Sequence, residues 1–210
     1  MVTKEILQEA LAKRIGQKAF ERLQQSAVAV AGLGGLGSHI AVMLARSGVG
    51  KLFLVDFDTV DISNLNRQVY RINDIGRSKT EAMAEIIEEI NPYTVVETLQ
   101  TRVSTANVGK LFGDYSIVCE AFDVAEEKAM LVNTLLEQCP NTVIISGIGM
   151  AGYGSSNEIV TKQSMKRLYL CGDGHSDSGH GPGLTAPRVT LCAAHQGNMA
   201  LRLIMGETEA

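Results

Sequence analysis

A short apolar run, Ala27-Val28-Ala29-Val30-Ala31, feeds directly into Gly32-Leu33-Gly34-Gly35-Leu36-Gly37, and helical periodicity begins immediately behind it. Gly32, Gly34 and Gly37 fit G-x-G-x-x-G. In a strand–turn–helix setting each glycine has its own reason: the first permits the turn, the second lets a ligand approach the backbone, and the third lets helix and strand pack closely. Gly35 lies at the helix entry, where free N–H groups and the positive dipole end favour an anion. Ile40, Met43, Leu44 and Ser47 then share one helical face, Gly48 and Gly50 stop it, and Lys51-Leu52-Phe53-Leu54-Val55-Asp56 reads as the next strand. Residues 27–56 thus predict one strand–helix–strand unit with a right-handed parallel crossover.

The alternation continues. Ser78-Lys79-Thr80-Glu81 has the pattern of a capping box, and Met83, Ile86, Ile87 and Ile90 form the helical stripe behind it. A β-rich segment follows over 95–103, a short helix over 106–112, a buried strand over 116–122, a helix over 125–138 and another buried strand over 142–146. This order predicts an α/β fold: a Rossmann-like, doubly wound, mostly parallel sheet with helices on both faces. After residue 146 the texture changes. Gly147, Gly149, Gly152 and Gly154 mark an irregular stretch, 157–170 reads as one or two antiparallel strands, 171–183 as an exposed polar loop, and 187–205 as a final helix. The expected organisation is a single domain over 1–210: N-terminal helices over 1–25, a nucleotide-binding core over 26–146 and an irregular, antiparallel C-terminal extension over 147–210.

Charge and composition remove several classes. The formal net charge is −4 with no basic tract, and Trp is absent, so nucleic acid is an unlikely bulk partner. No run approaches the roughly 18 apolar residues of a membrane span, and the first ten residues do not read as a signal peptide. Cys119, Cys139, Cys171 and Cys192 form no C-x-x-C pair, which points away from zinc and towards a reducing, cytoplasmic setting.

The chemistry-bearing residues cluster after the second strand. Asp56 can accept hydrogen bonds from ribose hydroxyls, but NAD and ATP both carry adenosine, so Asp56 alone does not choose between them. The loop beyond it, Asp56-Phe57-Asp58 and then Asn64-Leu65-Asn66-Arg67-Gln68, combines amides with a guanidinium that can fork onto phosphate oxygens. Lys79 opens a helix, where the dipole disfavours a cation unless an anion compensates. Read alone, Arg67 is equally consistent with a solvated surface charge, and for Lys79 a solvated surface lysine is the better reading. Asp123 follows a buried strand on the ligand-binding edge; it is placed to hold Mg²⁺ against phosphates, to cap the next helix, or both.

Together, Gly32 to Gly37, Asp56-Phe57-Asp58, Asn64 to Gln68, Gly76-Arg77-Ser78-Lys79, Asp123 and Thr185-Ala186-Pro187 resemble the ubiquitin-activating superfamily. The nearest branch is that of the bacterial sulfur-carrier adenylyltransferases of thiamine and molybdopterin biosynthesis, with thiamine sulfur delivery the expected context. The resemblance runs over about residues 16–206. It implies ATP and Mg²⁺ at the glycine turn and a homodimer. The partner it implies is a ubiquitin-like carrier whose C-terminal Gly-Gly carboxylate attacks the α-phosphorus. Asp56 would hold the ribose; Asn64, Arg67, Gln68 and Lys79 would meet the phosphates; and Asp123 would position the metal, making Arg67, Lys79 and Asp123 the catalytic set. The chain departs from the family pattern in three ways. The paired C-x-x-C zinc motif is absent, so no structural zinc is expected. Cys171 is the one loop candidate for later thiol chemistry. Arg14 does not match the spacing of the N-terminal arginine that reaches a partner's nucleotide. Cys171, Asp173, His175 and His180 could form a metal group, but their spacing fits no standard motif, and a polar loop is the reading the residues favour. Three alternatives stay open: an NAD-dependent oxidoreductase, a non-catalytic scaffold, and a relative that activates a small carboxylate on modified tRNA.

Overall fold

The computed structural model describes residues 2–176 and 183–210. Two N-terminal helices, α1 (Lys4–Ile15) and α2 (Gln17–Gln24), precede β1 (Ala27–Ala31), α3 (Gly35–Arg46) and β2 (Lys51–Asp56). Two 3₁₀ turns, Ile62–Asn64 and Ile72–Asp74, carry the chain to α4 (Lys79–Ile90) and β3 (Val95–Gln100). Then come α5 (Val108–Phe112), β4 (Ile117–Glu120), α6 (Ala125–Gln138) and β5 (Val143–Gly147). The chain ends with β6 (Val160–Met165), β7 (Leu168–Gly172) and α7 (Ala186–Met205).

One sheet of seven strands runs in the order β3-β2-β1-β4-β5-β7-β6. Every neighbouring pair is parallel except β6–β7, which is antiparallel with a bulge between Gln163 and Met165. The sequence expectation of a doubly wound sheet with an antiparallel extension is met. The strand order reverses at β1, whose neighbours are β2 and β4, and such a switch point opens a crevice at the carboxyl ends of the strands.

β1 shows why its sequence can be apolar throughout. Val28 and Val30 face a core shared with α3, α4 and α7, while Ala29 and Ala31 face a second core with α5 and α6. Both faces are covered, so strand alternation between polar and apolar residues disappears. The third glycine of the turn is there for contact: a Cβ on Gly37 would lie 1.8 Å from the Gly32 carbonyl oxygen. Gly32 itself has φ +91°, a conformation side chains resist.

Local expectations fail at three points. Ser78 is the N-cap of α4 but its side chain makes no capping bond; its hydroxyl lies 2.6 Å from Thr80 Oγ1, so the capping box does not form. The N-cap of α6 is Val124, which leaves Asp123 outside the helix. The loop expected over 171–183 starts later, because Cys171 and Gly172 complete β7 beside β5. Among the described residues, no helix is long and apolar enough to cross a membrane.

Candidate active site in the switch-point cleft

A cleft of about 460 Å³ opens at the carboxyl ends of β1, β2, β4 and β5. Gly32, Gly34, Gly35, Asp56, Asp58, Asn64, Arg67, Gln68, Lys79 and Asp123 all line it. Of the site residues expected from sequence, Gly37 works from behind as a packing contact and Cys171 lies elsewhere.

Asp56 is buried and uses both oxygens on backbone: Oδ2 accepts from the Leu33 N–H at 2.6 Å and Oδ1 from the Asp58 N–H at 2.8 Å. The carboxylate therefore stitches the glycine turn to the end of β2, while each oxygen retains a second lone pair. Lys79 is no solvated surface lysine. It is only 5% exposed, and its ammonium donates to Asp58 Oδ2 at 2.9 Å. The buried Tyr70 hydroxyl donates to the Leu33 carbonyl at 2.9 Å, and burial raises its pKa, so the phenol stays protonated as a brace for the turn.

Arg67 has no carboxylate partner among the described residues. One of its terminal nitrogens donates to the Ser63 carbonyl at 3.0 Å and to Asn66 Oδ1 at 2.8 Å, while its Nε is buried without a partner. Gln68 Oε1 is likewise buried and unpartnered. Unmet buried polar groups of this kind are costly in a finished core and fit a cleft that receives a polar ligand. The Arg67 backbone is itself fixed. His39 Nε2 lies 3.1 Å from the Arg67 carbonyl and 3.2 Å from Thr190 Oγ1, and burial lowers the imidazole pKa, favouring a neutral ring that donates through Nε2. Asn64 has its oxygen committed to the Asp61 N–H at 3.0 Å, closing the turn ahead of Arg67.

The opposite wall comes from the end of β4 and the start of α6. Asp123 is exposed at its rim. Behind it Glu120 is fully buried. One of its oxygens accepts from the Phe122 N–H at 2.7 Å, and the other accepts from Lys128 and from the Ser146 hydroxyl, both at 2.6 Å. Arg102 stacks its guanidinium 3.9 Å from the Phe57 ring centre and pairs with Glu127 across the mouth. Sequence reading missed Glu120, Lys128, Phe57 and Arg102 as site residues. Only Glu120 left a signal, a lone carboxylate closing an otherwise apolar strand.

The extension does not present its candidate thiol to the cleft. Cys171 is fully buried in β7, with Sγ 3.5 Å from Thr161 Oγ1, and burial pushes its pKa up to about 11. Cys192 is pushed up to about 12, again chiefly by burial, and its thiol donates to the Cys171 carbonyl at 3.1 Å. These are packing residues rather than nucleophiles. The candidate metal group named from the sequence does not assemble in that form: Glu158, Asp173 and His175 converge, Cys171 stands apart, and His180 lies outside the described residues. Asp173 is already saturated. Although burial opposes ionisation, the His175 and Ser176 amides, at 2.9 and 2.8 Å, hold its carboxyl well below the usual range, and the Arg188 guanidinium occupies the other oxygen. A cation there would displace a buried arginine.

The ThiF family model matches residues 7–210. The chain belongs to the ThiF family. Among curated relatives it is 38% identical over 123 residues to the tRNA threonylcarbamoyladenosine dehydratase of Escherichia coli, covering 58% of this chain and 46% of that one. It is 41% identical over 118 residues to a probable molybdopterin-synthase adenylyltransferase of Porphyra purpurea, covering 56% of this chain and 31% of that one. The sequence match thus spans less than half the length of either relative. The E. coli dehydratase solved with AMP superposes with a TM-score of 0.87 over 98% of both chains at 23% identity, a likeness of fold. The resemblance read from the motifs is borne out for the family, whereas its narrower assignment to a sulfur-carrier branch is not singled out.

Proposed function

We propose that this protein uses ATP to adenylylate a carboxylate. The observation that carries the reading is Arg67: a guanidinium with no anionic partner among the described residues, a buried unpartnered Nε, and beside it the unpartnered oxygen of Gln68, all lining a cleft with the glycine turn at a helix N-terminus. ATP supplies the electrophilic α-phosphorus, and Mg²⁺ neutralises charge on its phosphates. Asp56 is placed for the ribose, the turn amides with Asn64, Arg67, Gln68 and Lys79 for the phosphates, and the exposed Asp123 carboxylate for the metal ion. Asp123 fits that role because it caps no helix, and a metal held by one carboxylate plus phosphate oxygens suits Mg²⁺. The reaction needs no side-chain nucleophile, which agrees with the inert thiols. A nicotinamide dinucleotide also offers phosphates to Arg67, but it gives the exposed Asp123 carboxylate no metal to hold, and a scaffold reading leaves the unmet cleft atoms without a ligand.

For the carboxylate, the favoured source is the C-terminal glycine of a small ubiquitin-like carrier, in thiamine biosynthesis, with the enzyme acting as a cytoplasmic homodimer. Two observations support it: the net charge of −4, and the engagement of Arg71, Arg77 and Arg102 with Glu89, Glu85 and Glu127 rather than in a basic face. The second reading is a carboxylate borne on modified tRNA. The full-length structural likeness to the dehydratase favours it, and on likeness alone it is the stronger. ATP–pyrophosphate exchange decides between them. Stimulation by a carrier ending in Gly-Gly but not by tRNA carrying threonylcarbamoyladenosine supports the first; the reverse result installs the second.

A further inference from the structure

Among the described residues, four basic side chains line the cleft. Arg67 and Lys79 stand by the glycine turn, and Arg102 lies over Phe57 at the end of β2. Lys128 lies on the first turn of α6, next to the Glu127 that pairs with Arg102, and lines the cleft together with Gly147, Ile148 and Gly149 beyond β5. It has a built foundation. Glu120 beneath it is fully buried, and the Phe122 amide and the Ser146 hydroxyl each occupy one of its oxygens. Lys128 spends a single hydrogen bond there, at 2.6 Å, and its side chain remains 24% exposed to the cleft. An ammonium has three donors, so the geometry leaves two for a ligand.

We propose that Lys128 binds the substrate carboxylate and guides it to the nucleotide. The inference rests on the adenylylation reading and deepens it. An ionised carboxylate must approach a polyanion, and a cation on its own side of the cleft offsets that repulsion. The carboxylate oxygen then forms a bond to the α-phosphorus as the bond from that phosphorus to the bridging oxygen breaks. The electron pair departs with pyrophosphate. Lys128 exchanges no proton; it holds the nucleophile, and Glu120 holds Lys128. Because Glu120 lies at the carboxyl end of β4 and Lys128 on the helix that follows, the switch-point topology sets the station of this cation.

The test is Glu120→Gln/Lys128→Gln, a pair that removes the cation without stranding a buried charge. Steady-state exchange is measured in wild type and variant with whichever of the two substrates, carrier or modified tRNA, supports it, varying that substrate and ATP separately. The expected result is a KM for the carboxylate substrate raised about ten-fold or more, a KM for ATP within two-fold, an unchanged melting temperature, and rescue by Lys128→Arg, which retains the charge. An unchanged carboxylate KM, or equal loss for both substrates, overturns the role of Lys128 while adenylylation stands. No exchange by the wild type with either substrate strikes the adenylylation reading itself, and this one with it.

Discussion

The two ends of the cleft are built on different physical terms. The wall from the glycine turn to Lys79 is made by consecutive sequence: a tight turn, a strand-end carboxylate and a short loop whose backbone folds on itself. The wall from Glu120 and the extension is made by distant pairs: Glu120 with Lys128 and Ser146, and Asp173 with Arg188. Each wall leaves two buried polar atoms unmet, Arg67 Nε and Gln68 Oε1 in the first, Arg188 Nε and Gln196 Oε1 in the second; the charges differ, because among the described residues Arg67 has no carboxylate partner, whereas Glu120 and Asp173 have both oxygens filled. The lesson is that the nucleotide end is poised to bind, and the extension chiefly holds a shape.

Breaking the first wall should cost activity. Arg67→Ala is expected to lower exchange about 100-fold or more, the scale of losing a charge-stabilising donor in a transition state, with the melting temperature little changed. Retained exchange would place the phosphate-binding cation elsewhere. Breaking the second wall should cost stability. Asp173→Asn leaves Arg188 buried beside the exposed Glu158 alone, at about 3 kcal/mol by denaturant titration. The sign with pH is set by a folded pKa below the ordinary value: the contribution is complete above that ordinary value and fades as pH falls through the folded pKa. The gap between wild type and variant should thus be constant from neutral pH to about pH 5 and narrow below pH 4. A gap that widens in acid would refute the assignment.

Two smaller effects sharpen the contrast. Asp123→Asn should reduce exchange about ten-fold and raise the Mg²⁺ concentration needed for half-maximal rate, since a metal held against phosphates by one carboxylate loses its protein anchor. A rate and Mg²⁺ dependence equal to wild type would remove the metal role. Cys171→Ser should leave exchange within two-fold of wild type and lower the melting temperature slightly, because the residue packs a strand. A large loss of activity with an intact fold would restore a chemical role to the thiol.

The same contrast explains what was legible in sequence. Strand–helix alternation from Ala27 to Gly147 is a periodic signal set by burial on both sheet faces, and it foretold the sheet correctly. The spacing of Gly32, Gly34 and Gly37 encodes local backbone geometry, so the turn was readable without tertiary knowledge. Capping at Ser78 was not, because Thr80 competes for the hydroxyl at 2.6 Å. Nor was the burial of Cys171. Its polar successors read as a loop, yet pairing with β5 draws it into the sheet, and α7 and Thr161 enclose it. Lys128 as a cleft residue and Arg188 as the buried partner of Asp173 were invisible for the same reason: each depends on a carboxylate delivered by another element.

The central claim is that a carboxylate attacks the α-phosphorus of a nucleotide held in this cleft. Product identity tests it most directly. With ATP labelled at the α-phosphorus, Mg²⁺, inorganic pyrophosphatase omitted, and either carrier or modified tRNA present, the account predicts pyrophosphate in step with AMP bonded to the substrate as an acyl-adenylate, plus the free AMP that breakdown of the adenylate yields, all abolished by Arg67→Ala. Release of ADP and orthophosphate, or NADH binding without any ATP turnover, would contradict it.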